Sequence, residues 1–273
     1  MPLVFAAAVS HAPGITAWPA AAPAAQKDAL YGAYATLRAR LRDARLDALI
    51  LLTSEHWTNF FLDHIGAFCV GRAPVYDGPV EPWLKVAPAR VPGDPALAET
   101  IVNAAYAAGV EPGYAYELAL DHGTMVPLHF LTPEMDVPCV PIMINTLAAP
   151  QPSARRCAEF GRIIGDVAGS SLARIGIVAT GGMSHDPGEL RHGFIDSAFD
   201  RTFLDRITAG DLEALRGYTS SEFAAAGAGA FELLAWVALA GALGGRRGRV
   251  LAYEAVVPWA TGMGIVTFDA VAV

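Results

Sequence analysis

The sequence is poor in charged residues and has no cluster of lysine and arginine. Of its 273 residues, 17% are charged and 53% are hydrophobic, and the formal net charge is −8. Surfaces that bind nucleic acids or anionic membranes need clustered positive charge. The composition therefore argues against nucleic-acid and membrane partners and favours a small or neutral ligand.

Cysteine is also scarce. The three cysteines, Cys69, Cys139 and Cys157, are too far apart for a CxxC site, and their odd number prevents complete pairing. Reduced thiols of this kind are typical of cytosolic proteins. We therefore expect a cytoplasmic protein whose cysteines take no part in chemistry.

Long apolar runs are absent as well. No stretch reaches the roughly 18 uninterrupted apolar residues that a membrane helix needs. The apolar opening MPLVFAAAVSHAPG has no basic segment before it, and His11 and Pro13 interrupt it early. It is predicted to be a first strand over residues 3–9, and the chain is predicted to be soluble.

Short apolar runs separated by helical patterns predict an α/β fold. Leu30, Tyr34, Leu37 and Leu41 recur at helical spacing between the first two runs, which indicates a βαβ unit with parallel strands. With no repeat or linker, we expect one domain over residues 1–273, with a mostly parallel or mixed sheet flanked by helices. Strands are predicted at residues 3–9, 48–52, 137–144, 175–179 and 249–258, with residues 264–273 pairing at the sheet edge.

Other segments have clear local signals. Six prolines between residues 72 and 95 predict a surface loop or edge strand. Asp94 and Ser153 are predicted to cap helices. A further strand-to-helix passage is predicted at residues 116–128, and an Ala- and Leu-rich helix at residues 223–243.

Histidines recur where predicted strands end. His11, His56 and His185 each follow a buried strand, and His122 is expected to follow a fourth. The carboxyl ends of parallel strands meet at one edge of a sheet, where α/β proteins build their ligand sites. These four imidazoles are therefore expected to lie together at an active site, whereas His64, His129 and His192 do not share this position and are expected to be structural.

Glu232 is a carboxylate in an unusual setting. It lies within the apolar segment AAAGAGAFELLAWVALAGAL, and no lysine or arginine occurs between Arg216 and Arg246. Burying a carboxylate is costly unless something neutralises it, and a metal ion would do so. The small residues Ala228 and Gly229, one turn earlier, would leave room for an ion or an aromatic ring.

Two histidines and one carboxylate with open positions form the facial triad of non-haem Fe(II) oxygenases. Zn²⁺ accepts the same ligand types. The residue types alone leave both metals open.

Five segments that include these histidines and Glu232 resemble the class III extradiol ring-cleavage dioxygenase family, whose type member is the β subunit of protocatechuate 4,5-dioxygenase. The resemblance runs in the family's order over nearly the whole chain, and the DHGxxVPL and TGGMSH elements are its most specific parts. The matching segments are SHAP (residues 10–13), SEH (54–56), LDHGTMVPL (120–128), TGGMSH (180–185) and FELLAW (231–236).

This resemblance implies a role for each residue. His11, His56 and Glu232 would bind Fe(II), His185 would be the acid–base catalyst, and His122 would lie in the second sphere near substrate or oxygen. The implied reaction is extradiol opening of a catechol-like ring by O₂, with protocatechuate, gallate, a substituted catechol or a hydroxypyridone as substrate.

The chain also departs from the family pattern. Glu55 stands where the type member has Asp, and Ala179 stands where Gly is expected. No segment resembles the small helical α subunit that covers the type member's active site. A lid would come from the 72–95 loop or from another chain, and we expect a homo-oligomer.

Two other functions fit the same residues. One is a Zn²⁺ hydrolase in which His185 activates a metal-bound water. The other is a binding module that keeps the fold without catalysis. Retention of all the matched histidines and Glu232 favours the dioxygenase over both.

Overall fold

An eight-stranded mixed sheet with helices on both faces forms the centre of the fold. The computed structural model describes residues 3–188 and 190–268. A two-stranded hairpin, β4 and β5, lies outside this sheet. The strands are β1 (Leu3–Val9), β2 (Ala48–Ser54), β3 (Phe68–Gly71), β4 (Val75–Gly78), β5 (Ala89–Pro92), β6 (Gly113–Ala115), β7 (Cys139–Ile144), β8 (Ile175–Thr180), β9 (Gly248–Val256) and β10 (Thr261–Phe268).

The sheet has the strand order β6-β3-β7-β2-β8-β1-β10-β9. Strands β7, β2, β8 and β1 are parallel neighbours, whereas β3 and β10 pair with this group in the antiparallel direction. The prediction of an α/β fold with a mostly parallel or mixed sheet is therefore confirmed. β1 and β2 point the same way, as expected, with β8 inserted between them.

Nine helices are found among the described residues. None of them is both long enough and apolar enough to cross a membrane. They are α1 (Gly14–Ala17), α2 (Ala24–Ala44), α3 (Pro95–Ala107), α4 (His122–Leu131), α5 (Ala154–Ser170), α6 (Ser197–Ala209), α7 (Leu212–Arg216), α8 (Ser220–Ala226) and α9 (Leu233–Ala242).

Strand β2 shows why its sequence is apolar throughout. Successive side chains of a strand point to opposite faces. Leu49 and Leu51 belong to the core beneath α2 and α4, whereas Ile50 and Leu52 belong to the core beneath α3, α5 and α9. Because both faces are covered, every position of this central strand is buried.

The predicted helix caps are confirmed. The Asp94 side chain accepts a hydrogen bond from Leu97 N at 3.0 Å, and Ser153 Oγ accepts one from Arg156 N at 3.2 Å. Each bond satisfies a backbone donor that the first turn of a helix leaves without a partner.

The cysteines lie inside the fold. Cys69, Cys139 and Cys157 are all buried and free. Burial raises the pKa of the Cys69 and Cys139 thiols to about 12, so both remain protonated and poorly nucleophilic at neutral pH.

The predicted continuous helix over residues 223–243 is wrong. The segment is divided into α8, a 3₁₀ turn at Ala228–Glu232 and α9. Gly227 has φ 115°, which ends α8. Beyond it, Ala228 N donates to Asp186 Oδ1 at 2.9 Å, and Gly229 N donates to the His185 carbonyl at 3.0 Å. Hydrogen bonds to a distant loop thus replace those of a continuous helix.

The predicted buried strand before His122 is also absent. Residues 116–120 form only an isolated bridge at Ala119, and β6 lies before them at the sheet edge. Asn59 binds this loop instead, because its side chain accepts from Ala119 N at 2.8 Å and donates to Ala119 O at 3.0 Å. These bonds satisfy backbone groups that a strand would have paired in the sheet.

The edge position was assigned to the wrong strand. β9 is the edge strand, and β10 lies between β9 and β1. β10 also begins at Thr261, earlier than expected, and the part of the predicted 264–273 strand after Phe268 lies outside the described residues.

Candidate metal centre

Three neighbouring parallel strands deliver three histidines to one edge of the sheet. His11 follows β1, His56 follows β2 and His185 follows β8, and these strands lie in the order β2-β8-β1. The edge is the carboxyl end of the parallel strands, where the sequence placed the site. Glu232 and His122 reach the same region.

His11 is buried and oriented by a hydroxyl group. Its Nδ1 lies 3.0 Å from Thr180 Oγ1, and Thr180 Oγ1 lies 3.0 Å from the Gly123 carbonyl, which can only accept. Thr180 Oγ1 also lies 2.9 Å from Thr53 Oγ1, to which it can donate. Because the Thr180 proton goes to Gly123 O or to Thr53 Oγ1, His11 Nδ1 is the donor to Thr180. This leaves the lone pair of His11 Nε2 free, and that buried atom makes no hydrogen bond among the described residues.

His56 is oriented by a carboxylate. Its Nδ1 lies 3.0 Å from Asp121 Oδ2, which also accepts from the His56 backbone N at 2.9 Å. Asp121 is fully buried. Burial opposes its ionisation, but the charge and hydrogen bond of His56 outweigh this effect and lower the pKa of Asp121 to about 2. An ionised carboxylate on Nδ1 leaves His56 Nε2 as the free ring nitrogen, an arrangement common around protein-bound metals.

Glu232 faces both histidines. Its Oε2 lies 3.1 Å from His11 Nε2, and its Oε1 lies 3.3 Å from His56 Nε2. Gly182 N donates to Oε2 as well. Glu232 is buried, and although burial acts against the charged form, the nearby His11 and His185 rings hold the pKa of Glu232 well below its ordinary value.

The centre has the donor set and spacing for a metal ion. Nitrogen atoms of His11, His56 and His122 all lie within 4.8 Å of one another. Adjacent ligands at about 2.1 Å from an octahedral ion are separated by about 3 Å, close to the distances from Glu232 to His11 and His56. A buried histidine nitrogen without a hydrogen bond and a buried carboxylate facing it are both satisfied by a cation.

Replacing Asp121 by asparagine is expected to weaken metal binding. Asparagine can still cap α4, since Asp121 accepts from Gly123 N there at 2.9 Å, but it loses the charge that fixes the His56 tautomer. Loss of such a partner costs about 10–100-fold in metal affinity. Titration of metal-free protein with a ferrous salt measures the effect.

Asp94→Asn is the matched control, because Asp94 also caps a helix but lies away from the metal centre. Equal metal affinities of Asp121→Asn and the Asp94→Asn control would show that the charge of Asp121 has no part in orienting His56.

His185 lies against a position where only glycine fits. Its Nδ1 donates to the Met183 carbonyl at 2.8 Å, and its Nε2 lies 3.6 Å from Glu232 Oε1. A Cβ atom at Gly229 would lie 2.1 Å from His185 Nε2. The space that the sequence predicted near Glu232 is thus filled by the His185 ring.

His122 is held by the proline-rich loop. It is the first residue of α4, and its Nδ1 lies 2.6 Å from Glu81 Oε1. Its ring stacks on His56 with centroids 3.9 Å apart. Trp83 of the same loop lies 6.3 Å from the His122 ring, so the 72–95 segment reaches the site. Nothing in the sequence pairs Glu81 with His122.

Glu55 shapes the loop after β2 without facing the metal centre. Its carboxylate accepts from the backbone N–H groups of Trp57, Thr58 and Asn59. Trp57 has a left-handed backbone with φ 58°, which a non-glycine residue adopts at a cost of about 1–2 kcal/mol. The three hydrogen bonds stabilise this turn directly after His56.

A cavity of about 750 Å³ opens beside the metal centre. This volume is typical of small-molecule sites. His11, His56, His122, His185 and Glu232 all line it. His64 and His129 are not among the lining residues, as expected, whereas His192 lies at its exposed side. Asp121, Thr180 and Glu81 are partners of the site that no sequence signal predicts, although Asp121 directly precedes His122.

A sheet that brings histidines and a carboxylate together at the carboxyl ends of its parallel strands is typical of a metal-dependent enzyme. Residues 5–264 match the family described as the catalytic LigB subunit of aromatic ring-opening dioxygenase. The chain belongs to this family. It is an extradiol-type dioxygenase that cleaves aromatic rings, in line with the resemblance noted in its sequence and not with a hydrolase.

Two curated relatives are named 2,3-dihydroxyphenylpropionate/2,3-dihydroxicinnamic acid 1,2-dioxygenase. The protein from Paraburkholderia xenovorans is 29% identical over 259 residues, covering 77% of this chain and 79% of its own length. The protein from Burkholderia vietnamiensis is 28% identical over 266 residues, covering 80% and 83%. Among solved structures, the uncharacterized protein JW3007 from Escherichia coli K12 has the same fold, with a TM-score of 0.64, 18% identity and coverage of 97% and 100%.

Proposed function

We propose that this protein is an Fe(II)-dependent dioxygenase that opens a catechol-like ring next to its two hydroxyl groups, with His11, His56 and Glu232 as metal ligands. The observation that carries the proposal is the approach of the two Glu232 oxygens to Nε2 of His11 and of His56, at 3.1 and 3.3 Å. Two imidazoles and one carboxylate form one face of an octahedral ion and leave positions for diol and oxygen.

The orientation of His122 favours Glu232 as the third ligand. The lone pair of an imidazole nitrogen lies in the plane of its ring, and the His122 and His56 rings are stacked with only 30° between their planes. Their lone pairs therefore do not converge on one point, so His56 and His122 do not both bind the ion. The His11 ring stands at 84° to His56 and at 89° to His122, and the 3.3 Å approach of Glu232 to His56 Nε2 favours His56 as the ligand. We assign His122 to the second sphere, where it faces the cavity and can contact substrate or oxygen.

Fe(II), held by His11, His56 and Glu232, would accept both oxygens of the vicinal diol as ligands and supply the chemistry that activates oxygen. The residues around it hold the ligands and move protons. His185 Nδ1 donates to Met183, so its Nε2 is free to accept a phenol proton and later to return it. Burial lowers the pKa of His185, but the charge and hydrogen bond of Glu232 and the hydrogen bond to Met183 together raise it above the ordinary value. An imidazole can take up and return a proton near neutral pH.

Gly229→Ala is expected to lower turnover and leave the metal in place. The added methyl group would lie 2.1 Å from His185 Nε2, so the ring must turn away from its position. Misplacing a reacting group by about 1 Å can cost roughly 100-fold. Turnover and metal content measured on the same preparation test the effect.

The control is Gly32→Ala in α2, where nothing lies within 4 Å of the added Cβ. This change should keep full turnover and stabilise the helix by about 0.5–1 kcal/mol. Normal turnover of Gly229→Ala would show that the exact position of His185 does not matter.

We further propose that residues 1–273 form one catalytic domain whose lid is internal. The 72–95 loop supports this, because Glu81 binds His122 and Trp83 stacks on Trp18 with centroids 5.5 Å apart. A homo-oligomer without a separate lid subunit is the assembly that we propose. Size-exclusion chromatography with light scattering measures the oligomeric state. Activity of the isolated chain, without any second protein, tests whether a separate lid subunit is needed.

Metal reconstitution tests the proposed function. Metal-free protein prepared without oxygen is loaded with Fe(II) or with Zn²⁺, and oxygen uptake with catechol is recorded. We expect one Fe(II) per chain and uptake only with iron, together with a yellow ring-opened product. Loss of activity in air should be reversed by ascorbate with a ferrous salt. Equal turnover with zinc would overturn the assignment of iron.

The same reconstitution is carried out on His56→Ala, in which a proposed ligand is removed. His64→Ala is the control, because His64 does not line the cavity.

A further inference from the structure

Tryptophan side chains surround the mouth of the cavity. Trp18, Trp57 and Trp259 line it, and the first two remain 53% and 42% exposed. Trp18 stacks on Trp83 with 13° between the ring planes, and Trp259 Nε1 donates to the Trp18 carbonyl at 3.1 Å. These contacts hold an aromatic rim in a fixed shape beside the metal centre, although it is open to solvent.

The cavity lacks a cationic side chain. No lysine or arginine is among the lining residues in the described part of the chain, whereas Glu232 brings a negative charge. The polar lining beyond the five site residues includes His192 and the hydroxyls of Thr146 and Thr261. Thr146 Oγ1 is buried and has no hydrogen-bond partner among the described residues, so it offers a neutral polar contact.

The arginine that follows the His185 loop is engaged elsewhere. Arg191 Nε donates to Asp186 Oδ2 at 2.8 Å, and its terminal nitrogens donate to the carbonyls of Ala224 and Ala225. Its guanidinium also lies 4.6 Å from the centre of the Phe194 ring. With its donors used in this way, Arg191 holds the loop to the residues of α8 and does not face the substrate.

We infer that the substrate is a catechol whose ring carries an uncharged apolar or aromatic substituent, and that carboxylated diols are poor substrates. This inference rests on the proposed ring-cleavage function. A carboxylate on the ring substituent would lose water in the cavity without gaining a lysine or arginine, since the proposed iron is already paired with Glu232 and the diol. An aryl group would gain contact with the tryptophan rim. Among the substrates considered from the sequence, this selects a substituted catechol over protocatechuate and gallate.

A preference for uncharged ring substituents would distinguish this chain from its named relatives. The curated relatives are named for 2,3-dihydroxyphenylpropionate and 2,3-dihydroxicinnamic acid, both of which carry a carboxyl group. At 28–29% identity, the metal centre can be shared while the part of the cavity that receives the ring substituent differs.

Two diols that differ in the charge of the side chain, with one added methyl group as the other change, test this substrate preference. Iron-loaded protein is assayed with 2,3-dihydroxyphenylpropionate and with its methyl ester, and binding of both is measured without oxygen by quenching of tryptophan fluorescence. We expect kcat/KM and affinity to favour the ester by about tenfold or more, the size of an unmet charged hydrogen bond. A preference for the acid in either measurement overturns the inference and leaves the proposed function standing.

Variants of a lining residue test whether the charge of the cavity causes the preference for the ester. Leu147, which lines it, is changed to arginine, with Leu147→Met as the control of similar size. Leu147→Arg should raise kcat/KM for the acid relative to the ester by about tenfold, whereas Leu147→Met should leave the ratio unchanged. An acid-to-ester ratio unaltered by arginine contradicts the charge argument.

The aromatic rim is tested separately. Trp18→Ala should lower kcat/KM for 3-phenylcatechol by roughly 2–10-fold relative to kcat/KM for catechol, because one aromatic contact contributes about 0.5–1.5 kcal/mol. Tyr106→Ala, an exposed aromatic position on α3 that does not line the cavity, is the control. Equal losses for both diols would contradict a role of Trp18 in substrate choice. Absence of oxygen uptake with every diol would instead reject ring cleavage itself, and the fluorescence affinities would still decide whether charge is excluded.

Discussion

Glu232→Gln is expected to lose its metal and, with it, all ring-cleaving activity. The amide has nearly the same shape and can still accept from Gly182 N, but it removes the negative charge that both histidine rings face. Loss of an outer partner costs 10–100-fold in metal affinity, so loss of a ligand should exceed about 100-fold. Metal analysis of the purified variant and ferrous titration of its metal-free form measure this loss.

Thermal unfolding separates the loss of metal from the loss of fold. A ligand present at 100 times its dissociation constant stabilises the folded state by about 2.7 kcal/mol. Ferrous salt should therefore raise the Tm of the natural protein and leave that of Glu232→Gln unchanged. Glu213→Gln, an exposed carboxylate paired with Arg216, should behave like the natural protein. Full metal occupancy of Glu232→Gln would remove Glu232 from the ligand set and favour His11, His56 and His122 as the ligands instead.

His185→Ala has the second largest expected effect, a 10²–10⁴-fold loss of turnover with the metal retained. This range is typical of a positioned acid–base group. His185 Nε2 lies 3.6 Å from Glu232 Oε1, and His185 Nδ1 donates to the Met183 carbonyl. Removal of the ring therefore leaves the proposed ligand nitrogens of His11 and His56 in place. Metal content, catechol affinity and single-turnover rate on one preparation measure the outcome.

His185→Gln refines this test. Glutamine can hydrogen-bond a diol but cannot take up a proton near neutral pH, so it should restore affinity better than rate. Loss of metal in His185→Ala would make His185 a ligand, and near-normal turnover would make it a bystander. His192→Ala is the control at the exposed side of the cavity and should change turnover far less.

The positions of the proposed ligands along the chain can be read from the sequence, whereas the hydrogen bonds that orient them cannot. His11 and His56, two of the proposed ligands, follow strands, whereas Glu232 lies in a 3₁₀ turn, and the orientation of all three depends on Thr180, Asp121 and the backbone of Gly182. These partners belong to different loops. Variants that keep shape and remove one charge or one hydrogen bond are therefore the informative ones, because each isolates a single contact.

Much of the fold could be predicted because its signals are local. The apolar run of β2 indicates burial on both faces, and Asp94 and Ser153 act within one turn of their own helices. The meeting of His11 and His56 also followed from the sequence, since parallel strands end at a common edge whichever strand lies between them.

Tertiary structure alone decided the features that depend on distant partners. The helix expected through Glu232 is interrupted because the backbone at Ala228 and Gly229 bonds to Asp186 and His185, and composition does not reveal such bonds. The strand expected before His122 is a loop because Asn59 satisfies its backbone. Local propensities were outweighed in both places by long-range hydrogen bonds.

The residue types of the centre were thus readable from the chain, whereas their orientation and the charge of the cavity were not. A histidine that follows a buried strand can be recognised in the sequence. Which of its nitrogens faces the proposed ion depends on Thr180 for His11 and on Asp121 for His56, and the lack of a cationic side chain among the described residues that line the cavity depends on Arg191 binding elsewhere. Each of these depends on the direction of a side chain in space, which only packing of the whole chain determines.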